Sequence, residues 1–80
     1  MKLKYIVTNH GPILFGEGHS HAEIGHNQIV LGAGFVNLTA VCHNDNPQLL
    51  VECYGESVSL KLPSRCQQDE EVIDRLLNYH

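Results

Sequence analysis

Phe35-Val36-Asn37-Leu38-Thr39-Ala40-Val41-Cys42-His43 runs into Asn44-Asp45-Asn46-Pro47, and Gln48-Leu49-Leu50-Val51-Glu52-Cys53-Tyr54 runs back out of it. Successive side chains of a strand point to opposite faces. The first run therefore divides into Val36, Leu38, Ala40 and Cys42 on one face and Phe35, Asn37, Thr39, Val41 and His43 on the other. The second divides likewise, Leu49, Val51 and Cys53 against Leu50, Glu52 and Tyr54. The residues between are turn formers. Gly55-Glu56 has the Gly-first form of a two-residue II′ turn. Ser57 to Leu62 then alternates again, with Val58, Leu60 and Leu62 expected inward. Three strands joined by short turns predict an antiparallel meander.

Upstream, Lys2 to Val7 alternates as a strand, Thr8-Asn9-His10-Gly11-Pro12 is a turn cluster, and Ile13-Leu14-Phe15 is a short strand pairing back. Ser20-His21-Ala22-Glu23 fits a capping box. It opens a helix of about two turns, which must pack on the sheet to be stable, through Ala22 and Ile24. Ile29-Val30-Leu31 begins a strand that Gly32-Ala33-Gly34 interrupts, as a bulge or a close backbone approach. Downstream, Pro63 ends the last strand, and Ser64-Arg65-Cys66-Gln67 repeats the capping pattern. Val72, Ile73, Leu76 and Leu77 form one apolar helical stripe, with Glu71 and Arg75 as an i,i+4 pair. The expected fold is α+β, in a single domain over residues 1–80. It has a mostly antiparallel sheet of five or six strands, a C-terminal helix on one face and a short helix between strands.

Eighty residues bury a thin core, so a homo-oligomer would be a physically sensible way to gain burial. No run approaches the roughly 20 apolar residues a bilayer requires, and Lys2 to Val7 is followed at once by polar residues, unlike a signal peptide. A soluble protein of the cytoplasm is expected. Three cysteines, Cys42, Cys53 and Cys66, read as reduced thiols, since their number is odd and no Cys-x-x-Cys occurs. Net charge is −4, and no Lys or Arg lies between Lys4 and Lys61. That argues against nucleic-acid binding, which rests on cations neutralising phosphates. An acidic face could instead meet a basic partner.

Ile13-Leu14-Phe15, His21 in its short helix, Ala33-Gly34-Phe35, the run Cys53-Tyr54-Gly55-Glu56-Ser57-Val58-Ser59-Leu60, and Ser64-Arg65 followed by Asp69 and Ile73 are similar to a group of small proteins of tailed bacteriophages and prophages. The likeness spans nearly the whole chain, and Cys53 to Leu60 is its best piece. It brings no functional residues with it. It implies only a viral or prophage origin, so that the cytoplasm expected above would be the host's. Small accessory phage proteins often antagonise bacterial antiviral defence, by binding a defence protein or by sequestering a nucleotide signal.

Four constellations could hold chemistry. His19, His21 and His26, with Glu17 and Glu23, offer metal-ligand types. Ser20 as an N-cap makes His19 and His21 diverge, so a metal-binding protein built on His19, His21 and His26 stands third, behind a protein-binding and a ligand-binding reading, and no cofactor is expected. Catalysis finds no nucleophile–base pair, because Cys42 and His43 point to opposite faces; the chain is not read as an enzyme. Gly18, His19, Ser20 and His21 at a helix start, with Gly32 and Gly34, could cradle a phosphate-bearing ligand. Finally, Phe35, Thr39, Val41, Leu50 and Tyr54 share a strand face that one C-terminal helix cannot cover. Exposed apolar groups there would mark a surface for a protein partner, expected to be a bacterial host protein.

Overall fold

A computed structural model describes residues 1–78. The chain is α+β, in the order β1 (Lys2–Thr8), β2 (Gly11–Phe15), α1 (His21–Ile24), β3 (Val30–His43), β4 (Asn46–Tyr54), β5 (Glu56–Ser57), β6 (Leu62–Pro63) and α2 (Gln67–Asn78). A four-stranded antiparallel sheet has the order β2-β1-β3-β4, and β5 pairs only with β6. No helix among the described residues is long and apolar enough to cross a membrane.

The central hairpin forms where its alternation places it. Asn44 and Asp45 take φ of 52° and 66°, and His43 pairs with Asn46. Two left-handed residues make the turn whose twist matches its strands. Each face of the sheet has its own core. Tyr5, Val7, Val36, Leu38, Val51 and Cys53 pack with Ile73 of α2, and Leu3, Leu14, Val72 and Leu77 fill in around them. Ile6, Phe15 and Ala33 on the opposite face are covered by Ile24, Val30, Leu60 and Leu62.

The third strand of the expected meander does not join the sheet. At Gly55, with φ of 76°, the chain leaves β4, and Val58 to Lys61 form a turn closed by the Lys61 N–H on the Val58 carbonyl. The six strands of the described residues are thus split between sheets of four and two. Val58 points outward, 82% exposed, while Ser57 is fully buried. A local hydrogen bond outweighed the alternation: Ser57 Oγ accepts the Leu60 N–H at 3.1 Å. Serine hydroxyls commonly compete with ladder pairing in this way.

Four smaller expectations are also corrected. In α1 the capping box is present, but the inward residue is His21, with Ile24 half-buried and Ala22 exposed. In α2 the helix begins at Gln67, not under a Ser64 cap. Ser64 Oγ is held by the Cys66 N–H and by Tyr5, and Cys66 takes φ of 35°. Within the apolar stripe, Ile73 is buried and Val72 and Leu77 are half-buried, but Leu76 is exposed. The i,i+4 ion pair at this end of the chain joins Arg65 and Asp69.

β3 runs unbroken through Gly32-Ala33-Gly34, with one irregularity where Val7 pairs with Gly32 and Thr8 with Val30. The glycines serve close packing. A Cβ on Gly32 would stand 2.5 Å from Asp69 Oδ2, and one on Gly34 would stand 2.6 Å from the Tyr54 carbonyl.

Candidate functional site

β1 pairs with β3 only as far as Lys2 opposite Asn37, with Met1 continuing to Leu38. Beyond it, β3 and β4 project as a two-stranded arm on a molecule 40 Å long and 22 Å wide. Thr39, Ala40, Val41 and Cys42 are all exposed, so the arm is in solvent on both faces.

The face opposite α2 divides in two. Its inner half is sheltered by α1 and the β5–β6 hairpin. Its outer half is open, with Val41 40% exposed, Leu50 49% and Tyr54 41%. Thr39 lies opposite Leu50 and Phe35 opposite Tyr54 in the ladder, so Phe35, Thr39, Val41, Leu50 and Tyr54 lie on one face of the sheet. Phe35, half-buried, joins the two halves. It stacks on Tyr54 at 5.8 Å, and Lys2 Nζ sits 4.8 Å above its ring. Val41 and Leu50 also border a groove of about 480 Å³ along the outer edge of β4. Gln67, Glu70, Glu71 and Asp74 of α2 line it as well. An apolar strip beside three carboxylates suits a partner that presents an apolar group flanked by Lys or Arg.

The residues expected around a ligand are only partly brought together. The His21 ring is buried edge-on between Phe15 and Phe35, and its Nε2 is 2.8 Å from the Gly34 carbonyl. Gly32 faces the Asp69 carboxylate and Arg65. Gly18 and His19 lie at the surface, where His19 faces Glu23 at 3.7 Å. A smaller pocket of about 260 Å³ is lined by Lys4, Ser20, His21, Phe35, Glu56, Val58 and Ser59. Lys4 Nζ at its wall donates to the His19 carbonyl at 2.9 Å. His26 is exposed, and among the described residues no three His, Cys, Asp or Glu side chains are grouped to hold a metal ion.

Sequence reasoning missed the polar network beneath the α2 end of the sheet. Asp69, with no exposed surface, accepts from the Arg65 backbone N–H at 2.9 Å, from Arg65 Nε at 2.9 Å and from Nη2 at 2.8 Å. Tyr5 Oη lies 2.7 Å from Asp69 Oδ2 and 2.6 Å from Ser64 Oγ. A phenol has one proton and a carboxylate has none to give. Tyr5 therefore donates to Asp69 and Ser64 donates to Tyr5, while Cys66 N–H donates to Ser64. Burial, helped by the nearby acid, raises the Tyr5 phenol well above its ordinary pKa. Burial likewise pushes the neighbouring Cys53 thiol up to about 12. Both groups stay protonated near neutrality, so neither Tyr5 nor Cys53 is an activated nucleophile there. The signal was in the sequence: Asp69 stands four residues before Ile73, on the apolar stripe of its helix. Compared with protein-family models, curated proteins and solved structures, the chain has no match.

Proposed function

We infer that this chain is a binding protein that acts by occupancy, and that the outer face of its β3–β4 arm is the contact surface. The observation behind this reading is the pair Val41 and Leu50, exposed together and bordered by the carboxylates of α2. Tyr5 and the neighbouring Cys53 have their pKa values raised by burial, so neither is poised for chemistry near neutrality. The bacteriophage resemblance directs the search for a partner to bacterial host proteins in the cytoplasm, antiviral defence components first.

The test is capture of partners from a bacterial host lysate, identified by mass spectrometry, with wild type, Leu50→Glu and Leu76→Glu compared. Leu76 is similarly exposed but lies on α2. A partner lost with Leu50→Glu and kept with Leu76→Glu supports the reading; a capture pattern identical for all three chains overturns it.

A second reading, a sponge for a nucleotide signal, draws on the pocket beside Lys4, Ser20 and His21. Its volume of about 260 Å³ is below the usual range for a small-molecule site, roughly 300–1,000 Å³, so it ranks second. Titration with cyclic nucleotides and ADP-ribose derivatives would raise the melting temperature if a ligand binds the native state.

A further inference from the structure

The two long edges of the arm differ. Outward backbone groups on β4 belong to the odd-numbered residues, as the Leu49 and Cys53 N–H bonds to α2 establish. Pro47 has no N–H to offer. Asn78 takes both backbone groups of Leu49, and Glu70 takes the Cys53 N–H. That edge is blunted by α2 and by proline, as exposed edges usually are.

The β3 edge lacks such protection. Leu38 exchanges two bonds with Met1, so even-numbered residues face the β1 side. The register with β4 continues without a shift to His43. Ala40 and Cys42 therefore direct two N–H and two C=O groups outward, with no strand of the described residues beside them. Between Leu38 and Asn44 there is no Pro, Asp, Glu, Lys or Arg.

We propose that two copies of this chain pair antiparallel through this β3 edge, on a two-fold axis between their Val41 residues. Ala40 of each copy then lies opposite Cys42 of the other, and both N–H and C=O groups of each are used, giving four hydrogen bonds between the copies. Centring the pair on Ala40 or on Cys42 leaves only two, because the next position falls on Met1 or on the turn. The free stretch is bounded by Met1 at one end and by Asn44-Asp45 at the other. The same stretch of a second copy fills that length, which selects a second copy over a longer strand. Charge agrees with this choice. The paired residues hold no acid or base, so chains of net charge −4 meet there without opposed like charges. Asp45 of each copy is directed toward the Met1–Lys2 end of the other copy's β1. The dimer joins the two Val41–Leu50 strips on one face.

Sedimentation or native mass measurement should give twice 8.9 kDa, returning to a single chain on dilution. The register is read by disulfide trapping with Cys42 and Cys66 changed to Ser. Directly opposed residues that share no hydrogen bond have Cα atoms about 4.5 Å apart, which a disulfide spans. Diagonal neighbours lie about 7–8 Å apart, beyond easy reach. Val41→Cys should therefore cross-link nearly fully and Ala40→Cys should not. Ala40→Pro deletes an N–H without a partner inside the protomer, so it should weaken the dimer tenfold or more with an unchanged far-UV spectrum. A single-chain mass at millimolar concentration overturns the proposal, and so does a dimer untouched by Ala40→Pro. If that variant fails to fold, equal cross-linking of Val41→Cys and Ala40→Cys overturns it instead. A monomer that still captures a partner through Leu50 defeats only this inference. A dimer that captures nothing defeats only the binding reading.

Discussion

Asp69→Asn tests the account of this fold most directly, because one carboxylate ties β1, the segment before α2 and the first turn of α2 together. The amide keeps one oxygen, which can still serve Tyr5 and the Arg65 backbone N–H. Its NH2 then faces Arg65 Nε and Nη2, donor against donor. Two charge-assisted hydrogen bonds are lost, each worth roughly 1.5–3 kcal/mol. The Arg65 side chain is 32% exposed, and water recovers part of that loss. The expected net destabilisation is about 2–4 kcal/mol. A domain of this size has a total stability of roughly 4–12 kcal/mol, so the midpoint of urea unfolding should fall steeply at an unchanged slope. Tyr5→Phe should cost about 1–2 kcal/mol, and the double mutant should show a coupling of at least ~0.5 kcal/mol. An Asp69→Asn chain within about 0.5 kcal/mol of wild type, or strict additivity with Tyr5→Phe, would refute the network as described.

Three further outcomes are expected. Gly32→Ala should destabilise by about 2–3 kcal/mol by pressing a Cβ onto Asp69 and Arg65, whereas Gly16→Ala, with nothing near its Cβ, should be close to neutral in the same urea titration. The unfolded thiol ionises near 9.0, while folded Cys53 holds its proton to about 12. The unfolded chain therefore binds fewer protons above pH 9, and stability should fall there by about 1.4 kcal/mol per pH unit per group; equal urea midpoints at pH 8 and pH 10 would contradict this. Ser57→Ala should cost about 1–2 kcal/mol and speed hydrogen exchange at the Leu60 amide, while Val58→Ser should change neither.

Much of the fold was legible because it rests on local patterning. The alternation from Phe35 to Tyr54 is long enough to specify two strands and their faces, and Asn44-Asp45 accepts the left-handed turn between them. That patterning also placed Phe35, Thr39, Val41, Leu50 and Tyr54 on one face. The run from Ser57 to Leu62 was equally regular but too short to decide anything, and one serine hydroxyl on the Leu60 N–H turned it into a separate hairpin.

Sequence alone determined the class of fold, the β3–β4 strand pair and its turn, and the α2 stripe apart from Leu76, since each follows from the period of side chains along one segment. Tertiary structure alone decided which half of the outer sheet face stays open, that Gly32 makes room for a buried Asp69, and that β4 is guarded at its edge while β3 is not. Those outcomes depend on segments far apart in the chain meeting at hydrogen-bond distance, Tyr5 with Asp69 and Leu49 with Asn78 among them. A period read along one segment holds no record of its partner in space.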